Sequence, residues 1–113
     1  MLKKPQRITS NKDFQNTYRR GRHYSSAFFG LNYLSNIYGK TRIGIVVNKK
    51  IARKAHDRNL LKRQLREIVR AEYNNLKPGA DIIITTRGNI LKLDYKKLTD
   101  ELKSILTKSN LIK

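Results

Sequence analysis

The chain contains no cysteine and no tryptophan, and only eight of its 113 residues are acidic. Without cysteine there is neither a disulfide framework nor a thiolate metal site. This fits a reducing compartment. The carboxylates Asp13, Asp57, Glu67, Glu72, Asp81, Asp94, Asp100 and Glu101 are spread along the whole chain. A protein that hydrolyses bonds with metal ions needs several that converge on one point. Asp100 and Glu101 are adjacent, but on a helix they point about 100° apart. No Ser-His-Asp or paired-carboxylate arrangement stands out. His23 and His56 are isolated, without a partner at metal-ligand spacing. The polypeptide is therefore expected to have no catalytic centre and no metal site of its own. No apolar run approaches the roughly 20 residues of a membrane span. The first residues, "MLKKPQRITS", lack the apolar region of a signal peptide.

What is present is positive charge. Lys and Arg number 26 against 8 Asp and Glu, a formal charge of +18. A domain this basic implies a polyanionic partner, with nucleic acid the first candidate. An anionic membrane would favour a basic amphipathic helix with exposed Trp, Phe or Leu. Tryptophan is absent, and the apolar stripe of the basic helix described below is better explained as core. The expected partner is nucleic acid, not membrane, and the expected location is the cytoplasm.

At this length one domain over residues 1–113 is expected. Residues 1–8 read as a loose basic arm. "TSNKDFQNTYRRG" predicts a short helix, with Ser10 and Asp13 at capping-box spacing and Gly21 as the stop. The aromatic alternation of "YSSAFFGLNYL" (24–34) predicts a strand, "NIYGK" a turn, and the apolar run at 43–47 a second strand. Residues 56–76 form the main helix, ended by "KPG". "DIIITTR" (81–87) is a short central strand. Residues 95–108 close the chain as a helix with Leu98, Leu102, Ile105 and Leu106 on one face. The order is α-β-β-β-α-β-α if residues 24–47 hold three strands, and one strand shorter if they hold two. Either way the class is α+β, a small sheet packed against helices. The strand at 43–47, the main helix and the strand at 81–86 can form a βαβ unit, which is right-handed in roughly 98% of cases.

The stretch "KKIARKAHDRNLLKRQLRE" (49–67) leads into and through the main helix. With Leu61 at zero on a helical wheel, Leu65, Ile68, Val69 and Leu76 fall within about 80° of it. Asn59, Arg63, Arg66 and Arg70 cluster opposite, with Lys62 on the border. Asp57 or a neighbour is expected to cap the start. A basic face can be merely solvated. Here it is rich in Arg, whose planar fork suits phosphate. Asn59 adds an amide that can read a base edge or a ribose hydroxyl.

These residues carry a resemblance. The stretch is similar to the signature of the bacterial ribonuclease P protein-subunit family. That pattern has paired lysines after a strand, then Arg-Asn, Lys-Arg and Arg-Glu at fixed spacing. Lys49, Lys50, Ala55, Arg58, Asn59, Lys62, Arg63, Arg66 and Glu67 stand at matching positions. "DFQNTYRRG", "RIGIVVNKK" and "DIIITTR" resemble the family's flanking elements, so the likeness runs over roughly residues 7–108. The sequence departs from the pattern at Leu60, where a second basic residue is usual. It departs also at Ala52, where glycine is usual, and at His56, where a small apolar residue is usual. On the wheel Leu60 lies on the flank beside Gln64 and Glu67.

The resemblance implies an α-β sandwich with a left-handed βαβ crossover, related to a ribosomal-protein domain. It implies a protein that partners a catalytic RNA subunit in removing the 5′ leader of precursor tRNA. Magnesium would be held mainly by that RNA and the substrate, and one protein copy would act in the complex. Lys49, Lys50, Arg53, Arg58, Asn59, Lys62, Arg63 and Arg66 become candidates for binding the RNA subunit. A cleft between the first helix and the sheet would receive the leader. The candidates there are Phe14, Tyr18 and Phe28. Phe14 and Tyr18, one turn apart, can equally be anchors of that helix. Strand alternation puts Phe28 with Gly30 and Asn32, opposite Phe29, Leu31 and Tyr33. A structural RNA-binding protein, such as a ribosomal protein, is the alternative. A DNA-binding regulator is a further one, but no dimerisation element is evident.

Overall fold

Ser10 starts the first helix. Its hydroxyl accepts from the backbone N–H of Lys12 and Asp13 at 3.2 and 3.4 Å, which satisfies donors that a helix start leaves free. Helix α1 then runs Asn11–Arg20. Gly21 ends it for a steric reason: a Cβ there would collide with the carbonyl oxygens of Thr17 and Tyr33. The computed structural model describes residues 4–112. After α1 come β1 (Arg22–Ser25), β2 (Phe29–Ser35), β3 (Arg42–Val46), α2 (Ala55–Glu72), β4 (Ala80–Thr86) and α3 (Tyr95–Lys108), with single 3-10 turns at Lys4–Gln6, Tyr73–Asn75 and Ile90–Lys92.

The four strands form one mixed sheet in the order β1-β2-β4-β3. β1 pairs antiparallel with β2, and β2 antiparallel with β4. β3 and β4 are parallel neighbours joined through α2. The fold is thus α+β with the α-β-β-β-α-β-α order.

One expected strand is two. Residues 24–34 fold as a hairpin, not as one straight strand. Ser26 closes it, its N–H donating to the Phe29 carbonyl at 2.8 Å while the Phe29 N–H donates to its hydroxyl at 3.1 Å. A serine side chain can make such a turn without the glycine or asparagine that marks most hairpins.

Residues 4–8 are not a loose arm. The Ile8 N–H donates to the Ile43 carbonyl at 3.0 Å, Arg7 bridges parallel to Ile43, and Ile8 is buried. Residues 1–3 of the expected arm lie outside the described residues.

Cross-strand register sorts the sheet into two faces. Phe29, Leu31, Ile43, Ile82 and Ile84 join Leu61, Leu65, Ile68 and Val69 of α2 and Leu98, Leu102, Ile105 and Leu106 of α3 in the main core. The other face carries Gly44, Ile83 and Asn32 in register. Helix α1 packs there, against β1, β2 and β4. The Phe14 ring lies over Gly44 so closely that a Cβ at Gly44 would be 2.7 Å from it. At the far end of α2, the Tyr73 hydroxyl donates to the Thr41 carbonyl, tying the helix to the start of β3. Burial raises the Tyr73 pKa above its ordinary value, so this donor stays protonated.

Candidate nucleic-acid interface

Helix α2 is amphipathic, and its two sides do different things. Leu61, Leu65, Ile68 and Val69 are buried against the sheet. On the outer side Asn59, Lys62, Arg63 and Arg66 line one shallow concavity with His56 and Leu60. Four of the eight residues predicted for RNA contact are therefore gathered on one surface. Lys49 and Lys50 sit exposed in the turn that precedes the helix. That turn is closed by the Asn48 carbonyl, which accepts from the N–H groups of Ile51 and Ala52, both at 3.1 Å. Ala52, where the family pattern has glycine, is fully buried.

Arg58 faces inward in part. Its Nη1 donates to the carbonyls of Ala52 and Arg53 at 3.0 and 2.7 Å. It therefore fixes the backbone that carries Arg53 and the two lysines, and among the described residues Nε and Nη2 have no protein partner. The start of α2 differs from expectation. Its N-cap is Lys54, with no side-chain cap bond, and Asp57 instead stands in the first turn. Asp57 lies 3.7 Å from the exposed His56 ring. A carboxylate in the first turn still offsets the positive end of the helix dipole.

The electrostatics are one-sided. Among the described residues, Lys49, Lys50, Arg53, Lys62, Arg63 and Arg66 form no ion pair. Four of the eight carboxylates are engaged elsewhere. Asp13 and Asp81 hold Arg42, Glu72 holds Lys103, and Asp94 caps α3 by accepting from the Lys97 N–H at 2.8 Å. Unpaired, self-repelling charge on an ordered helix is a surface complementary to a chain of phosphates.

The second predicted site divides. Tyr18 is 45% exposed on α1. Phe14, one turn earlier, is half-buried over Gly44 and Ile8. It also lines a groove at the sheet edge with Arg7, Ile43, Ile45 and Arg66. The two predicted sets thus meet, because Arg66 of α2 reaches the groove that Phe14 of α1 lines. Phe28 is not on the cleft face. It lies in the hairpin turn and packs half-buried against the main core, since the turn breaks the alternation that would have placed it with Gly30 and Asn32. Gly30 and Asn32 do occupy the α1 face, with Asn32 paired to His23 Nδ1 at 3.2 Å.

Register also supplies residues that pattern reading missed. Ser25, Gly30, Thr85 and Val46 form one row across the four strands on the α1 face. Ser25, Thr85 and Val46 keep partial exposure. Only the pairing of the strands puts these small side chains together. Arg7, assigned to a loose arm, belongs to the groove because its segment is pinned to β3.

Among the described residues no three His, Cys, Asp or Glu side chains converge to hold a metal ion, and no helix is long and apolar enough to cross a membrane. The fold and this surface define a small α+β protein with an unpaired cationic helix face beside an aromatic-edged sheet, the form of a nucleic-acid-binding module. The chain matches the Ribonuclease P family over residues 2–110. It is 38% identical to the ribonuclease P protein component of a Pseudanabaena strain, covering 99% of this chain and 97% of that relative. It is 33% identical to the Clostridium botulinum protein component, covering 96% and 97%. Among solved structures, the RNase P protein of Staphylococcus aureus superposes with a TM-score of 0.89 at 27% identity, covering 96% of this chain and 98% of that one. The Thermotoga maritima RNase P protein gives 0.82 at 28% identity, covering 90% and 96%. The chain belongs to the ribonuclease P protein component family.

Proposed function

We propose that this chain is the protein subunit of a ribonuclease P ribonucleoprotein that matures tRNA 5′ ends in the cytoplasm, one copy per complex. The outer face of α2 and the turn before it bind the RNA subunit. Lys49, Lys50, Arg53, Lys62, Arg63 and Arg66 neutralise its phosphates, Asn59 supplies an amide, and Arg58 holds the turn while offering its remaining nitrogens. The observation that carries this reading is that, among the described residues, these cations have no carboxylate partners although the helix that carries or follows them is firmly packed. Tertiary burial supplies the order, and phosphate relieves the repulsion.

The 5′ leader of precursor tRNA lies along the α1 face, with Tyr18 as the exposed stacking ring and Phe14 at the groove that Arg66 also lines. Phe28 is the weakest of the three leader candidates, because its ring packs toward the other side of the sheet. Base stacking on an aromatic ring tolerates any sequence, which suits leaders of differing composition. The phosphodiester hydrolysis belongs to the RNA subunit. Magnesium is held by the RNA and the substrate. This reading is supported by the carboxylates, which among the described residues are scattered or already paired.

The test is the affinity of the complex, reconstituted with a ribonuclease P RNA, for precursor and for mature tRNA. The expected result is tighter binding of the precursor that depends on the protein. Equal binding of both with and without protein would favour a purely structural RNA-binding role.

A further inference from the structure

Leu60 lies between two depressions. One is the cationic concavity of α2. The other, of about 330 Å³, lies between the N-terminal half of α2 and the connection from β4 to α3, lined by Asp57, Leu60, Leu61, Gln64, Ile90, Leu91 and Leu93. Leu60 and Leu91 are 36% and 47% exposed. On α2, Asp57, Leu60, Leu61 and Gln64 fall on one side by helical spacing. The side chains that line it are leucine and isoleucine, apart from one carboxylate and, two turns on, one amide.

A carboxylate beside a phosphate-binding face is a mismatch for backbone and a match for a base edge. It repels phosphate. It can only accept hydrogen bonds when ionised. The Watson–Crick edge of guanine offers two adjacent donors, N1–H and N2–H, which one carboxylate can accept together. Adenine, cytosine and uracil each offer a single donor group on that edge. Exposed leucines supply the surface that the flat ring of an unstacked base would cover, and RNA is read chiefly through such splayed-out bases.

We propose that this depression is a guanine-binding subsite, with Leu60, Leu91 and Leu93 against the ring of one unstacked base and the Asp57 carboxylate accepting from its N1–H and N2–H. The subsite rests on the reading that α2 faces RNA, and Leu60 makes the two surfaces continuous. It explains why a leucine is useful where a further charge would be usual. A basic side chain at residue 60 would add one phosphate contact, whereas leucine extends an apolar wall.

The experiment uses the full chain and short fluorescein-labelled oligouridylates carrying one central guanine, adenine or cytosine, read by fluorescence anisotropy. The guanine probe is expected to bind on the order of tenfold tighter than the adenine probe, the discrimination typical of a good two-point base contact. Asp57→Asn should abolish that ratio and, by removing a negative charge, tighten the plain oligouridylate. Leu91→Ser, outside α2, should also abolish the ratio. Circular dichroism checks that both variants stay folded. Arg63→Ala with Arg66→Ala should weaken every probe and keep the ratio. A ratio near one in the unaltered protein, with strong salt-dependent binding, overturns the subsite and leaves the basic face standing. Failure to bind any probe overturns both. Self-association by sedimentation that Leu91→Ser removes would assign the patch to a second copy and overturn the proposal.

Discussion

Arg42 on β3 grips Asp81 on β4 through two nitrogens, Nε to Oδ1 at 2.8 Å and Nη2 to Oδ2 at 2.6 Å. The third nitrogen, Nη1, lies 3.2 Å from Asp13 of α1. Asn36 also donates to Asp81 at 2.8 Å, and Tyr38 lies under the guanidinium at 4.5 Å. One cation thereby joins both parallel strands to helix α1. Its hydrogen bond to Asp81 is the largest cause of its raised pKa. Asp81 is buried, so its removal takes the bidentate partner from a largely buried guanidinium and leaves it only the longer contact to Asp13. Asp81→Ala is expected to cost about 3 kcal/mol. Asp13→Ala should cost less, because that carboxylate is partly exposed. Urea denaturation at fixed salt measures both, and equal losses would show that the bidentate pair is not the principal tie.

Phe14 and Tyr18 share a helix but not an environment. Phe14→Ala should destabilise the fold by about 2 kcal/mol, since it opens the space over Gly44 and Ile8. Tyr18→Ala should leave stability within about 0.5 kcal/mol, as exposed substitutions usually do. It should weaken precursor tRNA binding by the reconstituted complex by on the order of 1 kcal/mol, with little effect on mature tRNA. Paired melting and binding curves separate the two, and an equal loss for both tRNAs would remove Tyr18 from the leader path.

Arg63→Ala with Arg66→Ala should lower affinity for the RNA subunit and flatten its salt dependence by up to about two ion equivalents. Binding measured across a salt series tests this. An unchanged slope means that these arginines do not touch phosphate.

Glu72 links α2 to α3. Its Oε1 lies 3.0 Å from Lys103 Nζ, and its Oε2 accepts from Asn75 at 3.1 Å. The Asn75 hydrogen bond, then the Lys103 contact, lower its pKa. A lowered folded-state pKa gives stability that is fully present above the unfolded value and is lost as pH falls through the folded one. Glu72→Gln should therefore lower the melting temperature near neutral pH, with the gap to the unaltered protein closing as pH falls from the ordinary glutamate range through the lowered folded-state value. A gap that stays constant over that range would assign the effect to packing.

The parts of the fold legible from sequence are those set by local periodicity. Ser10, Gly21, the α2 stripe and Leu98, Leu102, Ile105 and Leu106 of α3 each announce their element within a few residues. The hairpin did not, because Ser26 turns the chain inside an unbroken aromatic alternation. Residues 4–8 did not, because a single buried Ile8 against β3 has no local pattern. The same holds for the site. The cationic face of α2 lies within one helix and can be drawn on a wheel. The row Ser25, Gly30, Thr85 and Val46, and the meeting of Phe14 with Arg66, exist only through pairing over long separations. Arg58 shows the reverse limit: its spacing matches an RNA-binding signature, yet its Nη1 is spent on the Ala52 and Arg53 carbonyls. Leu60, one of the three departures from that signature, is neither packed away nor isolated, and it borders both depressions of α2.

The central claim, that this chain serves a catalytic RNA in tRNA maturation, is tested most directly by single-turnover cleavage of precursor tRNA. The measurement compares a ribonuclease P RNA alone with the same RNA plus this protein, at a magnesium concentration too low for the RNA to work well by itself. The account predicts a large rise in rate with the protein, and a smaller one with Arg63→Ala and Arg66→Ala together. No stimulation by the folded, RNA-bound protein would contradict it.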